Sequence, residues 1–180
     1  MLLLSPEHLD TLRAYAEATY PQECCGLLLG TVAPTVEESV RRVAQVVATA
    51  NAWSEAVAQD LAAEFSSYRS DITIGSDRAA ESPVSPSKAD RFWIEPEDIL
   101  QAQRLAVDLG LAIVGVYHSH PDHPAVPSER DRAIAWSDYS YLILAVEQGA
   151  TTDVRSWSLD AHRQFQAERM GGSSPAYAPF

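Results

Sequence analysis

The segment Leu111–Val116 constrains the fold of this 180-residue chain most strongly, because it is a nearly unbroken apolar run. Such a run predicts a central strand that is covered on both faces of its sheet. Helix signals flank it: Pro96 opens a helix that Gly110 ends, and Ser128 begins another helix. Helices on both sides of a buried strand predict an α/β (α+β) fold, in which helices pack against a mixed sheet.

Further helix and strand patterns fit the same architecture. Ser5-Pro6 predicts a helix start, since a hydroxyl N-cap precedes a proline at the first helical position. Strands are predicted over residues 26–30, 36–49, 141–146 and 154–159. Residues 54–90 begin as an amphipathic helix and continue as a Ser/Pro/Ala/Asp-rich loop, which predicts an insertion rather than a second domain. We therefore predict one domain over residues 1–165 and a flexible tail over residues 166–180.

Composition and charge exclude several classes of function. The net charge of -12 argues against a nucleic-acid partner and against attraction to an anionic membrane, which both require clustered Lys and Arg. No stretch approaches the ~20 apolar residues of a membrane span, and residues 1–4 are too short for a secretory signal. Cys24 and Cys25 are the only cysteines and, being adjacent, are poorly placed for an ordinary disulfide. These features predict a cytoplasmic protein that binds neither nucleic acid nor membrane.

The motif His118-Ser119-His120-Pro121 stands at the end of the predicted central strand. Residues two apart in a strand point to the same side, so His118 and His120 project together. Asp131 follows His120 by eleven residues, in the first turn of the helix that begins at Ser128. Two histidines and one carboxylate leave a fourth tetrahedral position for water, as in a catalytic zinc site. The alternative is a proline-rich loop with incidental histidines, followed by a Ser128–Asp131 capping pair.

A zinc-activated water also needs a carboxylate that moves its proton. Glu23 lies between the first helix and a predicted buried strand, where its carboxylate could reach a cleft; the alternative is an exposed loop residue. His123 lies three residues past His120, but the site does not need it, and we predict no ligand role for it. Cys24 and Cys25 are predicted to be small buried residues rather than nucleophiles.

Two distant segments together resemble a known family. His118-Ser119-His120-Pro121, followed after the proper spacing by Ser128-x-x-Asp131, matches the signature of the JAMM (MPN+) metalloproteases. The segment from Glu23 to Gly30 resembles the upstream glutamate segment of that family in its small prokaryotic form. The resemblance implies a single-domain JAMM/MPN fold with a curved mixed sheet and a cytidine-deaminase-like architecture. It also implies that His118, His120 and Asp131 bind one Zn²⁺ with a catalytic water, that Glu23 is general base and acid, and that Ser128 supports the oxyanion.

Members of that family cleave peptide or isopeptide bonds after the C-terminal glycines of ubiquitin-like proteins. Small stand-alone members resemble enzymes that process sulfur carriers, so the resemblance implies a ubiquitin-like sulfur-carrier protein as substrate, for example with release of cysteine. Three alternatives stay open: a non-catalytic MPN-type scaffold, a deubiquitinase-like isopeptidase, and a cysteine peptidase that uses Cys24 or Cys25. The insertion at 54–90 is predicted to be either a mobile lid or carrier-docking element near the substrate groove, or a disordered surface excursion. A homodimer is compatible with the sequence, which does not specify the oligomeric state.

Overall fold

The computed structural model describes residues 1–34, 39–61 and 87–172. Its elements are, in chain order, β1 (Leu2–Leu4), α1 (Pro6–Thr19), β2 (Cys25–Pro34), β3 (Ser39–Thr49), α2 (Pro96–Asp108), β4 (Ala112–Pro121), α3 (Glu129–Ile134), β5 (Ser140–Glu147), β6 (Ala150–Leu159), β7 (Phe165–Glu168) and β8 (Met170–Gly172). Residues 55–61 are also helical. Among the residues described, no helix has the length and apolar character that crossing a membrane requires.

The strands form one curved mixed sheet in the order β7-β6-β5-β4-β2-β3-β1-β8. β4 pairs with β5 in parallel and with β2 in antiparallel orientation, so the strand that carries the His-x-His motif is interior to the sheet. β1 pairs in parallel with both β3 and β8. The register of β2 shifts on both sides, next to Leu29, and such irregularities bend a strand. A single residue, Arg169, separates β7 from β8, which stand at opposite ends of the strand order.

Helices cover both faces of the sheet. Successive side chains of β2 point to opposite faces and so belong to two separate core clusters. Leu28 belongs to the core cluster that contains Leu12 of α1. Leu27, one residue earlier, belongs to a second cluster that contains Ala102 of α2. β4 contributes Val114 to the first cluster and Val116 to the second, so it is buried on both faces. The predicted α/β architecture with a central covered strand is confirmed.

Local signals explain where the longer helices begin and end. Ser5 caps α1: its Oγ accepts from His8 N at 3.2 Å, while His8 Nδ1 accepts from Ser5 N at 3.3 Å. α2 begins at Pro96, and the chain turns after it at Gly110, whose φ of 66° is a conformation that glycine adopts without strain. These bounds agree with the sequence. Leu109, which the helical pattern places on the buried face, is exposed because α2 has ended at Asp108.

The structure differs from the sequence prediction most at the C-terminal side. Residues 166–168 and 170–172, predicted as part of a flexible tail, lie in β7 and β8. β1 is a further strand that the sequence did not indicate. All three are short and lack an alternating pattern, and each is held by pairing with a neighbouring strand. Residues 173–180 and most of the predicted 54–90 insertion, with the lid assigned to it, lie outside the described residues.

Candidate metal centre

β4 carries two of the predicted ligands, because the strand extends to Pro121 and so includes the whole histidine motif. The Nε2 atoms of His118 and His120 lie 3.0 Å apart, which agrees with the two-residue repeat of a strand. His118 is fully buried and His120 is half-buried. Ser119 points to the other side, where its Oγ accepts a hydrogen bond from Cys24 N at 2.8 Å. The two histidines therefore face the candidate metal site, while Ser119 on the opposite face of the strand holds the backbone at Cys24.

The short helix α3 supplies the third side chain, Asp131, which is buried. Asp131 Oδ1 lies 3.5 Å from His118 Nε2, and Oδ2 lies 4.0 Å from His120 Nε2. In a tetrahedral site with metal–ligand distances of ~2.05 Å, neighbouring ligand atoms are about 3.3 Å apart. The three side chains therefore fit a small metal ion. They are the one group of this kind in the described part of the chain.

The surroundings of each ring favour Nε2 as the metal-binding atom. His120 Nδ1 lies 2.8 Å from the carbonyl oxygen of Pro124, a contact in which Nδ1–H donates and the Nε2 lone pair stays available. Phe92 stacks on the His118 ring with the ring centroids 4.4 Å apart. Burial lowers the pKa of His118 to about 4, so this imidazole is neutral at pH 7. The Nδ1 contact thus leaves Nε2 of His120 available to a metal ion, and the neutral His118 ring presents its own Nε2 3.0 Å from that atom.

Ser128 holds Asp131 in place as a carboxylate. Ser128 N and Ser128 Oγ both donate to Asp131 Oδ2, at 2.6 Å and 2.7 Å, and Asp131 N donates back to Ser128 Oγ at 3.2 Å. Burial opposes ionisation of Asp131, yet its pKa is lowered, because the neighbouring His118 and the hydrogen bonds from Ser128 favour the charged form. The predicted helix cap is therefore present. The oxyanion role predicted for Ser128 requires its hydroxyl to turn away from Asp131, and it stays a prediction.

Glu23 lines the same cleft as His120 and Asp131, a cavity of about 780 Å³. Its side chain is buried, with only 6% of the residue exposed. Burial and, second, the negative charge of Asp131 raise the pKa of Glu23 to about 9. Its backbone is fixed as well, since Glu23 N donates to the Lys88 carbonyl at 2.7 Å. A carboxyl group with such a raised pKa beside a carboxylate ligand is suited to holding and transferring a proton.

Asn51 braces the wall of the cleft, a role that the sequence did not reveal. Its amide nitrogen donates to the carbonyl oxygens of Glu23 at 3.0 Å and Arg91 at 2.8 Å. Its Oδ1 accepts from the backbone N–H groups of Trp53 at 3.0 Å and Trp93 at 3.2 Å. These four hydrogen bonds tie three separate segments together. In the sequence, Asn51 is an ordinary polar residue just after the strand predicted over residues 36–49.

Two arginines that the sequence analysis did not single out, Arg91 and Arg130, also line this cleft. The guanidinium carbon of Arg130 lies over the Trp53 ring, 4.3 Å from its centroid. Arg91 donates to the carbonyl of Asp90 at 2.6 Å and lies 4.0 Å from the carboxylate of the same residue. Single arginines next to a motif produce no periodic signal, and only the folded chain shows that these two line the same cleft.

Cys24 and Cys25 are buried as predicted, and the absence of a ligand role for His123 stays a prediction. His123 is exposed on the wall of the cleft and does not belong to the three-residue metal group. Cys24 and Cys25 are both buried and form no disulfide. Burial raises the pKa of the Cys24 thiol to about 11 and that of Cys25 to about 12. Such thiols are protonated at neutral pH and are poor nucleophiles.

Known proteins resemble this chain in family and in fold. The family model of prokaryotic homologs of the JAB domain matches residues 5–160. A desampylase from Haloferax volcanii is 34% identical over 89 residues, which cover 47% of this chain and 63% of that protein. A probable TtuB-protein conjugate cleaving protease from Thermus thermophilus is 34% identical over 64 residues, 36% of this chain and 43% of that protein. The match thus spans less than two thirds of either curated relative.

The solution structure of a protein from Salinibacter ruber is similar along nearly the whole chain. The two share 30% sequence identity and superpose with a TM-score of 0.61. The superposition covers 99% of this chain and 95% of the other. The similarity therefore includes the edges of the sheet as well as the segments that carry the site.

Proposed function

This chain belongs to the family of prokaryotic homologs of the JAB domain, and on that premise we propose that it is a zinc-dependent peptidase. The proposed reaction is hydrolysis of the bond after the C-terminal glycines of a ubiquitin-like protein. We take a sulfur-carrier protein as the substrate, with release of an amine such as that of cysteine. The names of the curated relatives, a desampylase and a conjugate-cleaving protease, support a protein-conjugate substrate.

The observation that carries the proposal is that three possible metal ligands lie together at a cleft that Glu23 also lines. His118, His120 and Asp131 converge within 4.8 Å of one another, with Glu23 in the same cavity. A structural zinc site would need a fourth protein ligand, and Cys24 and Cys25 belong instead to the core clusters. Three ligands beside a buried carboxyl group are the arrangement of a hydrolytic site.

The chemistry assigned to the chain's own residues is proton transfer and orientation. A zinc ion held by His118, His120 and Asp131 would polarise the scissile carbonyl and make water a stronger nucleophile at neutral pH. The positive charge of the bound cation would favour the ionised form of Glu23, whose carboxylate would accept a proton as water attacks and would return that proton to the leaving nitrogen. Ser128 would donate its hydroxyl hydrogen to the carbonyl oxygen as negative charge develops there. The Pro124 carbonyl keeps His120 in its tautomer throughout.

The decisive experiment measures turnover together with metal content. We expect zinc-loaded protein to cleave a ubiquitin-fold sulfur carrier whose terminal Gly-Gly is extended by one residue. A chelator should abolish the activity, and Glu23→Gln should lower kcat by at least 10²-fold while zinc stays bound. Glu97→Gln is the matched control, because Glu97 is an exposed carboxylate in the first turn of α2.

Three outcomes separate the alternatives. Activity that survives the chelator and is lost on thiol alkylation would refute the zinc mechanism. Full zinc occupancy without turnover on any carrier would favour a non-catalytic scaffold. Faster cleavage of a lysine-linked conjugate than of the carrier extended by one residue would favour an isopeptidase. A cytoplasmic location and a homodimer stay predictions from the sequence.

A further inference from the structure

We propose that Arg91 and Arg130 bind the α-carboxylate of a single amino acid that is linked through its α-amine to the carrier's C-terminal glycine. The inference rests on the proposed function and specifies its leaving group. It describes an enzyme that removes one C-terminal residue and acts poorly on linkages to a lysine side chain.

Arg130 presents a fixed cation with hydrogen-bond donors to spare. Its guanidinium carbon lies 4.3 Å from the ring centroid of Trp53, a residue with only 4% exposure, so a rigid neighbour holds the charged group in place. None of the ion pairs among the described residues includes Arg130. Its neighbour Glu129 accepts instead from Arg132 Nε at 2.9 Å on the surface of α3. The five N–H donors of Arg130 therefore remain available to an anion in the cleft.

Arg91 is a second cation whose donors are only partly used. Its Nη1 donates to the Asp90 carbonyl, and its 4.0 Å distance from the Asp90 carboxylate is at the limit of an ion pair. Its Nε is buried and has no acceptor among the described residues. Arg91 and Arg130 line the same cleft, and burial and, second, the charge of Arg91 lower the pKa of Arg130. Two half-buried cations with planar donors in one cleft suit the binding of a carboxylate.

The position of Glu23 indicates which carboxylate this is. The charges of both arginines act on Glu23, which lines the same cleft. Because Glu23 is the group proposed to protonate the leaving nitrogen, we place the two arginines, which line the same cleft, on the leaving-group side of the scissile bond. An α-amino acid carries its carboxylate one carbon away from that nitrogen. The ε-nitrogen of a lysine side chain has no carboxylate at a comparable distance.

The reaction balances with water as the only co-reactant. The carbonyl carbon of the carrier's last glycine forms a bond to the water oxygen, and its bond to the leaving nitrogen breaks. One proton of the water passes through Glu23 to that nitrogen, and the second is released to the amine or to solvent, which leaves the carrier's glycine as a carboxylate. The amino acid leaves with its carboxylate unchanged. The carrier then ends in a carboxylate of its own. The experiment must show whether the arginines bind this carboxylate or the α-carboxylate of the released amino acid.

The experiment compares two substrates that differ in one charge. Both are a ubiquitin-fold sulfur carrier extended after Gly-Gly by one alanine, with a free carboxylate in one and a carboxamide in the other. We expect the wild type to favour the carboxylate about 10- to 100-fold in kcat/KM, the range for charge-assisted hydrogen bonds. The ratio should fall toward one in Arg91→Gln and in Arg130→Gln. Arg132→Gln, on the same helix but paired with Glu129, should keep the wild-type ratio.

Affinity provides a readout that does not depend on turnover. Calorimetric binding of the two substrates to the Glu23→Gln variant should show the same preference for the carboxylate. Arg130→Lys keeps the charge and loses the planar donors, so it should keep part of the preference. Melting temperatures show whether each variant is folded. If Arg130→Gln melts early, Arg91→Gln and Arg130→Lys still decide the question.

Several results would overturn the inference, and they differ from failure of the proposed function. Equal rates on both substrates in the wild type refute it while the peptidase activity stands. The inference is also refuted if Arg91→Gln and Arg130→Gln both keep the wild-type preference for the carboxylate substrate. If those variants relieve inhibition by the cleaved carrier and leave the preference intact, the arginines bind the carrier's own carboxylate. If the protein neither cleaves nor binds either substrate, the proposed function is refuted, and this inference is refuted with it.

Discussion

Replacing Ser119 with alanine tests whether the middle residue of the histidine motif holds the segment that carries Glu23. Ser119 is fully buried, and its Oγ accepts from Cys24 N, next to Glu23 in the chain. Ser119→Ala removes that acceptor and leaves a buried N–H group without a partner. An unsatisfied buried donor costs about 1–3 kcal/mol. A loss of about 2 kcal/mol lowers the Tm of a domain of this size by about 4–8 °C.

Ser140 is the matched control for this experiment. It is also fully buried, but its hydroxyl has no hydrogen-bond partner within the described ranges. Ser140→Ala removes the same atoms and should leave the Tm unchanged or raise it slightly. Thermal unfolding followed by circular dichroism measures both shifts, and kcat on the carrier substrate should fall only in Ser119→Ala. Equal Tm shifts in the two variants would refute the reasoning, because the bond to Cys24 would then not be the cause.

Three further predictions address the cleft and its surroundings. In metal-free protein, Glu23→Gln should raise the free energy of unfolding by about 3 kcal/mol at pH 7, since a carboxyl pKa raised from 4.5 to about 9 costs stability as the pH rises between those values. Urea unfolding should show this gain shrinking toward pH 5, and a constant gain would contradict it. Cys24 and Cys25 should resist iodoacetamide at pH 8 until the protein is unfolded, because both are buried with pKa values of about 11 and about 12; mass spectrometry of the native protein checks this. Asn51→Ala removes four hydrogen bonds and should lower the Tm more than Ser119→Ala does; an unchanged Tm would show that the network is dispensable.

The parts of the site that could be predicted follow from short-range geometry. The two-residue repeat of a strand brings His118 and His120 together whatever the rest of the chain does. Helix capping likewise fixes Asp131 relative to Ser128, so a carboxylate in the first turn follows from the sequence. The role of Glu23 could be predicted only because its segment and the histidine motif occur together in one family. That it meets the other three depends on the pairing of β2 with β4, which periodicity alone does not specify.

The parts that could not be predicted depend on contacts between distant segments. Asn51, Arg91 and Arg130 are ordinary polar residues in the sequence, and they acquire roles because three segments converge on one cleft. The strands β7 and β8 were missed for a related reason. Each is short, and hydrogen bonds to a neighbouring strand hold it there rather than any alternation of apolar side chains.

The link between β7 and β8 through Arg169 also bears on how copies of this chain can associate. Unpaired strand edges are where proteins aggregate or extend a sheet from one molecule to the next. Here the two edge strands are only four and three residues long, and a single residue connects them. β7 and β8 themselves thus offer little edge for such growth. β7 pairs only with Ser156–Leu159 of β6, however, so residues 150–155 of β6 have no partner strand on that side among the described residues. A sheet shared between two copies of this chain would therefore have to form along that part of β6.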